Sequence, residues 1–188
     1  MPKTLPVFTL MAIFLLATPA VAQEWPNSVI IMGKTLVLKH KEEKPEGLLL
    51  EYISADETLE RWSVMFAMRH MNSRMMNRKF DPKIAAQQTV LGIQARKKQD
   101  PVANGAVFSH KDGKSEFADF VISAGSIIEH NVFRYFQTAT GLTSYQLARR
   151  VNYQQDGRQA TETLLKSIQT DRAIFFDSLM RIDMPVPE

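Results

Sequence analysis

The chain of 188 residues contains no cysteine. This absence excludes disulfide bonds, thiolate zinc sites, cysteine nucleophiles and a lipid anchor attached to a cysteine. The packed core must therefore supply the stability of the fold alone. The length is typical of a single domain, and a charged fraction of 23% argues against disorder.

The chain also has little excess of charge of either sign. Its formal net charge is +3 at pH 7, and loss of residues 1–22 would remove Lys3 and no acid. Proteins that bind nucleic acid usually carry a concentrated basic face, which such a thin surplus does not indicate. We therefore expect no nucleic-acid partner.

Motifs that name a reaction are missing as well. The sequence has no Gly-x-Ser-x-Gly, Ser-x-x-Lys, His-Glu-x-x-His, phosphate loop or dinucleotide fingerprint. Its histidines, His40, His70, His110 and His130, are isolated from one another. An enzyme is thus the less favoured class, and the alternative that stays open is a hydrolase whose site forms only in three dimensions, around His130 or His110.

The amino terminus has the pattern of an export signal. Lys3 gives a positive start, Leu5 to Ala17 is apolar, and Ala20-Val21-Ala22 is a small-residue cleavage pattern. Residues 1–22 are therefore predicted to be a signal peptide, which places the protein in the periplasm or outside the cell. No later apolar run approaches the roughly 20 residues that span a bilayer. Residues 23–188 are expected to form one domain without a transmembrane segment.

Strand-like patterns fill the first part of this domain. Ser28 to Met32 and Lys34 to His40 are rich in β-branched and apolar residues, and residues 41–47 are predicted to form a solvated loop. Leu48 to Ile53 returns as a strand that is apolar on both sides, which indicates burial. Ser54 to Glu57 matches a capping box and predicts that a helix starts there.

Two readings of the next segment remain open. In the first, the helix continues to about Asn77. In the second, which we favour, it ends near Trp62, and Ser63 to His70 is a strand with Val64, Phe66 and Met68 on one face.

Helix and hairpin signals alternate in the second half. Asp81-Pro82 predicts a capped helix with Ile84, Leu91 and Ala95 facing inward. Asp112-Gly113, between two apolar runs, predicts a hairpin. Further strands are expected at Ile127 to Thr138 and Leu142 to Val151, and one long helix from Gln159 to Ile182.

This order of elements predicts an α+β fold. We expect an antiparallel sheet of about five to seven strands, packed on one side by two or three helices that include the long C-terminal helix. The opening hairpin, the capped helix ending at Trp62, the central meander and the closing helix resemble the exported PsbP-like and DcrB-like proteins. This resemblance of architecture implies an accessory or binding protein rather than an enzyme, and it transfers no functional residue.

The most unusual segment is rich in methionine. Thioethers and an imidazole are ligands that suit Cu(I), so the sequence offers a copper site as one hypothesis. Methionine also fills gaps in protein cores, and a strand would turn Met65 and Met68 to opposite faces. The residues of this hypothetical site are Met65, Met68, Met71 and His70.

The same segment carries cations that favour another kind of partner. Arg69, Arg74, Arg78 and Lys79 would form a basic surface for an anionic head group or an acidic face of an envelope protein, although solvated charges need no partner. The leading hypothesis is therefore an exported binding or accessory protein of the bacterial cell envelope, with membership of a secretion or envelope assembly as one form of it. Periplasmic copper handling and a hydrolase are the alternatives.

Overall fold

A computed structural model describes residues 24–187, so the predicted signal peptide, residues 1–22, lies outside the described residues. Within this part of the chain, eight strands form one antiparallel sheet with three α-helices and one short 3-10 turn. The strands are β1 (Ser28–Ile31), β2 (Lys34–Lys44), β3 (Gly47–Ile53), β4 (Val64–Asn72), β5 (Asn104–Ser109), β6 (Ser115–Ala124), β7 (Ile127–Gln137) and β8 (Gly141–Asn152). The helices are α1 (Pro82–Ala95), α2 (Gly157–Thr170) and α3 (Arg172–Met180), and the 3-10 turn is Arg96–Lys98.

The sheet consists of two four-stranded meanders joined edge to edge. Its strand order is β1-β2-β3-β4-β8-β7-β6-β5, and α1 connects the first meander to the second. The joint is the antiparallel pair β4–β8, which runs from Val64 opposite Arg149 to Asn72 opposite Gly141. A side chain at Gly141 would place its Cβ 1.9 Å from the carbonyl oxygen of Met71. Only glycine therefore fits at this end of the joint.

The α+β class is confirmed, and the sheet has more strands than the five to seven expected. The predicted loop at residues 41–47 is mostly strand, because β2 continues to Lys44 and only a tight turn precedes Gly47. Its charged side chains remain in solvent, where Lys41 Nζ lies 2.7 Å from Glu43 Oε2. Residues 41–44 lie beyond the part of β2 that pairs with β1, and all four are exposed. With neither face buried, their sequence lacks the apolar alternation that marks strands.

The helix predicted to start at Ser54 is absent, because residues 54–63 form turns. Glu57 does not cap Ser54: its Oε1 accepts a hydrogen bond from Ser63 N at 2.9 Å. The segment instead places Trp62 over one end of the sheet, in a small cluster with Ile53, Met65 and Ala148. The strand reading of the next segment is confirmed by β4.

Helix α1 begins as predicted but faces the other way. Asp81 Oδ1 accepts a hydrogen bond from Ile84 N at 3.0 Å, and Pro82 is the first helical residue. The predicted inward stripe is wrong, because Ile84 and Leu91 are 51% and 63% exposed and Ala95 is exposed too. The buried side is formed by Ala86, Val90 and Ile93. Both sets of residues have helical spacing, so periodicity alone did not distinguish them.

Helices cover both faces of the sheet rather than one. On one face, α1 packs on β5, β6 and β7 around Phe120 and Tyr135. On the opposite face, α3 adds Phe175 and Leu179 to the main core. That core also contains Tyr52, Phe66, Met68, Phe117, Val132 and Leu147. No helix in the described part of the chain is long and apolar enough to cross a membrane.

The long C-terminal helix is divided into α2 and α3 at Asp171. The residues at the division are held by the sheet: Arg149 Nη1 donates to Asp171 Oδ2 at 2.8 Å, and Arg172 Nε donates to Asp119 Oδ2 at 2.5 Å. Two ion pairs thus fix the junction against the sheet. The helical spacing of apolar residues continues across the junction, which explains why the sequence predicts one helix.

Asp119, the partner of Arg172, also binds a histidine. It is buried, and its Oδ1 accepts a hydrogen bond from His130 Nε2 at 2.8 Å while its Oδ2 accepts from Arg172. Burial pushes the pKa of Asp119 upward, but the hydrogen bonds and charges of His130 and Arg172 outweigh it and hold the pKa below its ordinary value. The ionised carboxylate is therefore the stabilising form.

We expect Asp119→Asn to lower the free energy of unfolding by about 3 kcal/mol, because it leaves the buried donors incompletely paired. Urea unfolding at neutral pH measures this change. Asp177→Asn is the matched control, since Asp177 is an exposed acid on α3 that makes no ion pair within residues 24–187, and it should change stability by less than about 0.5 kcal/mol. Equal effects of the two substitutions would contradict this role for Asp119.

The contribution of Asp119 should also depend on pH. Because its folded-state pKa is lowered, its stabilisation is complete above the unfolded value of about 3.9 and is lost as the pH falls through the folded value. The stability difference between the parent protein and Asp119→Asn should therefore shrink as the pH falls below about 4. Urea titrations at several pH values test this, and a constant difference would refute it.

Candidate functional site

The methionine-rich segment is divided between the two faces of the sheet. It forms β4, where alternate residues face opposite sides. Met65 packs near Trp62 on one face, whereas Met68 is fully buried in the main core on the other. Both thioethers therefore fill core space, on opposite sides of the same strand.

The remaining two residues of the copper hypothesis do not close a site either. His70 is buried on the Met68 face, with its Nδ1 3.0 Å from Thr143 Oγ1, and burial lowers its pKa. Met71 lies half-buried on the other face. Residues 24–187 also contain no group of three or more histidine or carboxylate side chains placed to hold a metal. Copper binding by this set stays a prediction, and it would require β4 to leave the sheet.

Arg69 is separated from the other three predicted cations. It belongs to a polar row across the sheet, in which Arg69 Nη1 donates to Gln146 Oε1 and Gln146 Nε2 donates to Asn131 Oδ1 at 2.6 Å. Its guanidinium lies 5.7 Å from the centre of the Phe133 ring and 3.7 Å from Glu51 Oε1. Burial lowers the pKa of Arg69. This arginine is thus largely occupied with the sheet.

Arg74, Arg78 and Lys79 lie together in the segment that leaves β4. We call residues 73–80 the basic loop. All three cations are exposed, as are Met75 at 55% and Met76 at 42%. The described residues provide no ion pair for these cations, and Arg78 alone has an aromatic contact, 5.5 Å from the centre of the Phe80 ring. The loop therefore presents free positive charge around two exposed thioethers.

Hydrogen bonds to the backbone fix the shape of the basic loop. Asn72 Oδ1 accepts from Arg74 N at 3.0 Å and from Met75 N at 3.1 Å, and Ser73 N donates to Thr140 O at 2.9 Å. Arg78 N closes the turn by donating to Ser73 O at 3.0 Å. A loop held in this way loses less conformational entropy when a partner binds it.

A shallow groove joins the basic loop to the open part of the sheet. Its volume is about 330 Å³, and Leu49, Met71 and Met76 give it apolar walls. Arg69 lies at the same groove, so it approaches the loop although it is held by its neighbours in the sheet. The sequence contained a signal for this feature: Leu49 lies in a strand that is apolar on both sides. That pattern indicates burial, whereas Leu49 is only half-buried and lines the groove.

Neither histidine of the hydrolase alternative lines any of the five cavities found among the described residues. His130 is fully buried, and its ring lies 5.2 Å from that of Phe175. His110 belongs to the β5–β6 turn, where its Nδ1 is 3.2 Å from Asp112 Oδ2. The hydrolase stays a prediction for which this arrangement provides no formed site.

Comparison with known proteins identifies the family. A family model matches residues 24–184. The chain belongs to this family, whose function is uncharacterised. No curated protein matches the chain. The family match does not show the resemblance to PsbP-like and DcrB-like proteins, which stays a prediction from architecture.

The role of Asn72 in shaping the basic loop is testable. We expect Asn72→Ala to loosen the loop locally by about 1–2 kcal/mol, because two backbone N–H groups lose their acceptor. Trypsin should then cleave after Arg74, Arg78 or Lys79 several times faster, which timed proteolysis with mass spectrometry measures. Gln88→Ala is the control, since Gln88 is exposed on α1 and its side chain makes no hydrogen bond in the part of the chain that the structure describes. Unchanged cleavage of Asn72→Ala would show that the loop has other supports.

Proposed function

We propose that this protein is an exported binding or accessory protein of the bacterial cell envelope that holds an anionic partner through the basic loop. The observation that carries the proposal is the exposure of Arg74, Arg78 and Lys79, without ion pairs, around Met75 and Met76.

Several arginines of the fold already have partners. Arg149 and Arg172 pair with acids, and Arg150 donates to the carbonyl oxygens of Trp62 and Glu60. Arg74, by contrast, makes no side-chain hydrogen bond or ion pair with the described residues. Arginines with free guanidinium groups are well suited to carboxylates and phosphates, because they offer several donors in a fixed geometry.

The methionines add a second component to the surface. Arginine and methionine are both enriched in the buried centres of protein interfaces. Methionine is unbranched and polarizable, so it adapts to partners of different shape. Two adjacent methionines held by a fixed loop therefore supply apolar contact beside the charges that attract the partner.

The sequence-based expectations favour the same class of function. The predicted signal peptide would place the protein in the periplasm, where envelope and secretion assemblies are found. The resemblance of architecture to exported PsbP-like and DcrB-like proteins implies an accessory role. Both expectations agree with a protein that contributes a binding surface rather than a reaction.

The proposal predicts charge-dependent binding to the envelope at one surface. The triple variant Arg74→Gln, Arg78→Gln, Lys79→Gln should bind isolated envelope fraction at least tenfold more weakly than the parent, and salt should weaken the parent in the same way. Co-sedimentation across a range of protein concentrations measures both effects.

The control is a triple variant with the same change of charge at the opposite end of the sheet. Arg61→Gln, Lys97→Gln, Lys98→Gln replaces three exposed cations there and should bind like the parent. Equal weakening by both triple variants would attribute binding to net charge and reject the basic loop as the site. Absence of binding by the parent would reject the proposed function.

A further inference from the structure

Four connecting segments meet at the end of the sheet where β4 terminates. The strand registers place the β2–β3 turn, the β5–β6 turn and the β7–β8 turn at this end, together with the basic loop. We call this the loop end. It also includes the first turn of α1, which follows the basic loop directly.

Cations at the loop end extend beyond the basic loop. Lys111 and Lys114 in the β5–β6 turn are exposed and have no ion pair with the described residues, and Lys83 in the first turn of α1 is likewise exposed and unpaired. With the basic loop, these residues give the loop end six unpaired cations.

Most acids of the loop end already have partners. Glu43 pairs with Lys41, and Glu42 pairs with Lys44. Asp112 accepts hydrogen bonds from the backbone of its own turn. Asp81 caps α1, whereas Glu46 is exposed and makes no ion pair with the described residues. The free charge at the loop end is therefore mainly positive.

The spread of these cations indicates a surface rather than a single ion as the partner. Strand β6, which begins after the β5–β6 turn, lies three strands from β4, or about 14 Å at the usual spacing of strands. One phosphate or carboxylate cannot contact charges at both places. An anionic surface satisfies them together, because its charges are spread in two dimensions.

The apolar side chains indicate what kind of surface this is. Met75 and Met76 are adjacent, exposed and flanked by Arg74 and Arg78. At a bilayer, apolar side chains enter the boundary between head groups and acyl chains while cations stay with the phosphates. The basic loop presents both components side by side.

We propose that the loop end docks on an anionic phospholipid bilayer, with Met75 and Met76 inserted between head groups and the surrounding cations bound to lipid phosphates. This inference rests on the proposed function, since it names the anionic partner of the basic loop. It adds Lys83, Lys111 and Lys114, which lie outside that loop, to the contact surface.

Vesicle binding tests the inference directly. The purified exported protein is titrated with phosphatidylcholine vesicles that contain or lack phosphatidylglycerol, and bound protein is measured by co-sedimentation. The parent should bind only the anionic vesicles. Lys111→Gln and Lys114→Gln should each weaken binding about fivefold, the effect of one cation at such a surface. Lys97→Gln, at the opposite end of the sheet, should leave binding unchanged.

A second pair of variants separates insertion from charge. Met75→Ser with Met76→Ser should weaken binding to anionic vesicles about tenfold, because two apolar side chains no longer leave water. Leu91→Ser removes an exposed apolar side chain from α1, away from the loop end, and should have no effect. Circular dichroism confirms that each variant is folded, since all these positions are exposed.

The outcomes distinguish this inference from the proposed function. If envelope binding depends on the basic loop but the protein does not bind anionic vesicles, the bilayer is rejected as the partner. An acidic protein face is then indicated. Equal binding to both kinds of vesicle would overturn the electrostatic part. An unaffected methionine double variant would overturn insertion. If the parent protein binds neither the envelope fraction nor the vesicles, the proposed function is rejected as well.

Discussion

The buried carboxylate of Asp119 is the interaction on which the arrangement of the carboxyl-terminal helices depends. It holds Arg172 at the first residue of α3, while Arg149 holds Asp171 immediately before it. Since α3 contributes Phe175 and Leu179 to the main core, fixing its first turn also fixes the packing of that core. Burying these charges carries a desolvation cost that their mutual attraction offsets, so removing one partner leaves the other buried charge uncompensated.

The joint between the two meanders determines where the candidate site lies. β4 is a central strand with β3 on one side and β8 on the other, so its residues must supply both faces of the sheet. Met65 and Met68 therefore fill core space on the two faces, whereas Met75 and Met76, which follow Asn72, are exposed. The chain leaves the sheet there because it must cross to β5 through α1. The exposed cations and thioethers thus occupy a position set by topology.

The sequence predicts much of this fold because its strands and turns carry local signals. Asp112-Gly113 and Asp81-Pro82 act through nearby backbone geometry, and both predictions are confirmed. Predictions failed where a distant contact decided the outcome. The capping box at Ser54 starts no helix, because Trp62 packs in a cluster at one end of the sheet instead. The terminal helix is divided at Asp171 and Arg172, which bind Arg149 and Asp119 of the sheet. For the groove beside Arg69, the sequence offers only the apolar pattern around Leu49, which does not distinguish burial from a groove, because Leu49 meets Arg69 through the pairing of β3 with β4.

Met75 and Met76 differ from the methionines that fill the core. The fold uses Met65, Met68 and Met184 as core residues, whereas Met75 and Met76, like Met32 between β1 and β2, are exposed. Met75 and Met76 remain in solvent although Asn72 and Thr140 hold their loop in one conformation. Burying the two methionines by rearrangement would break the hydrogen bonds that hold this loop. Two adjacent exposed thioethers among exposed cations are the combination on which the proposed binding surface rests.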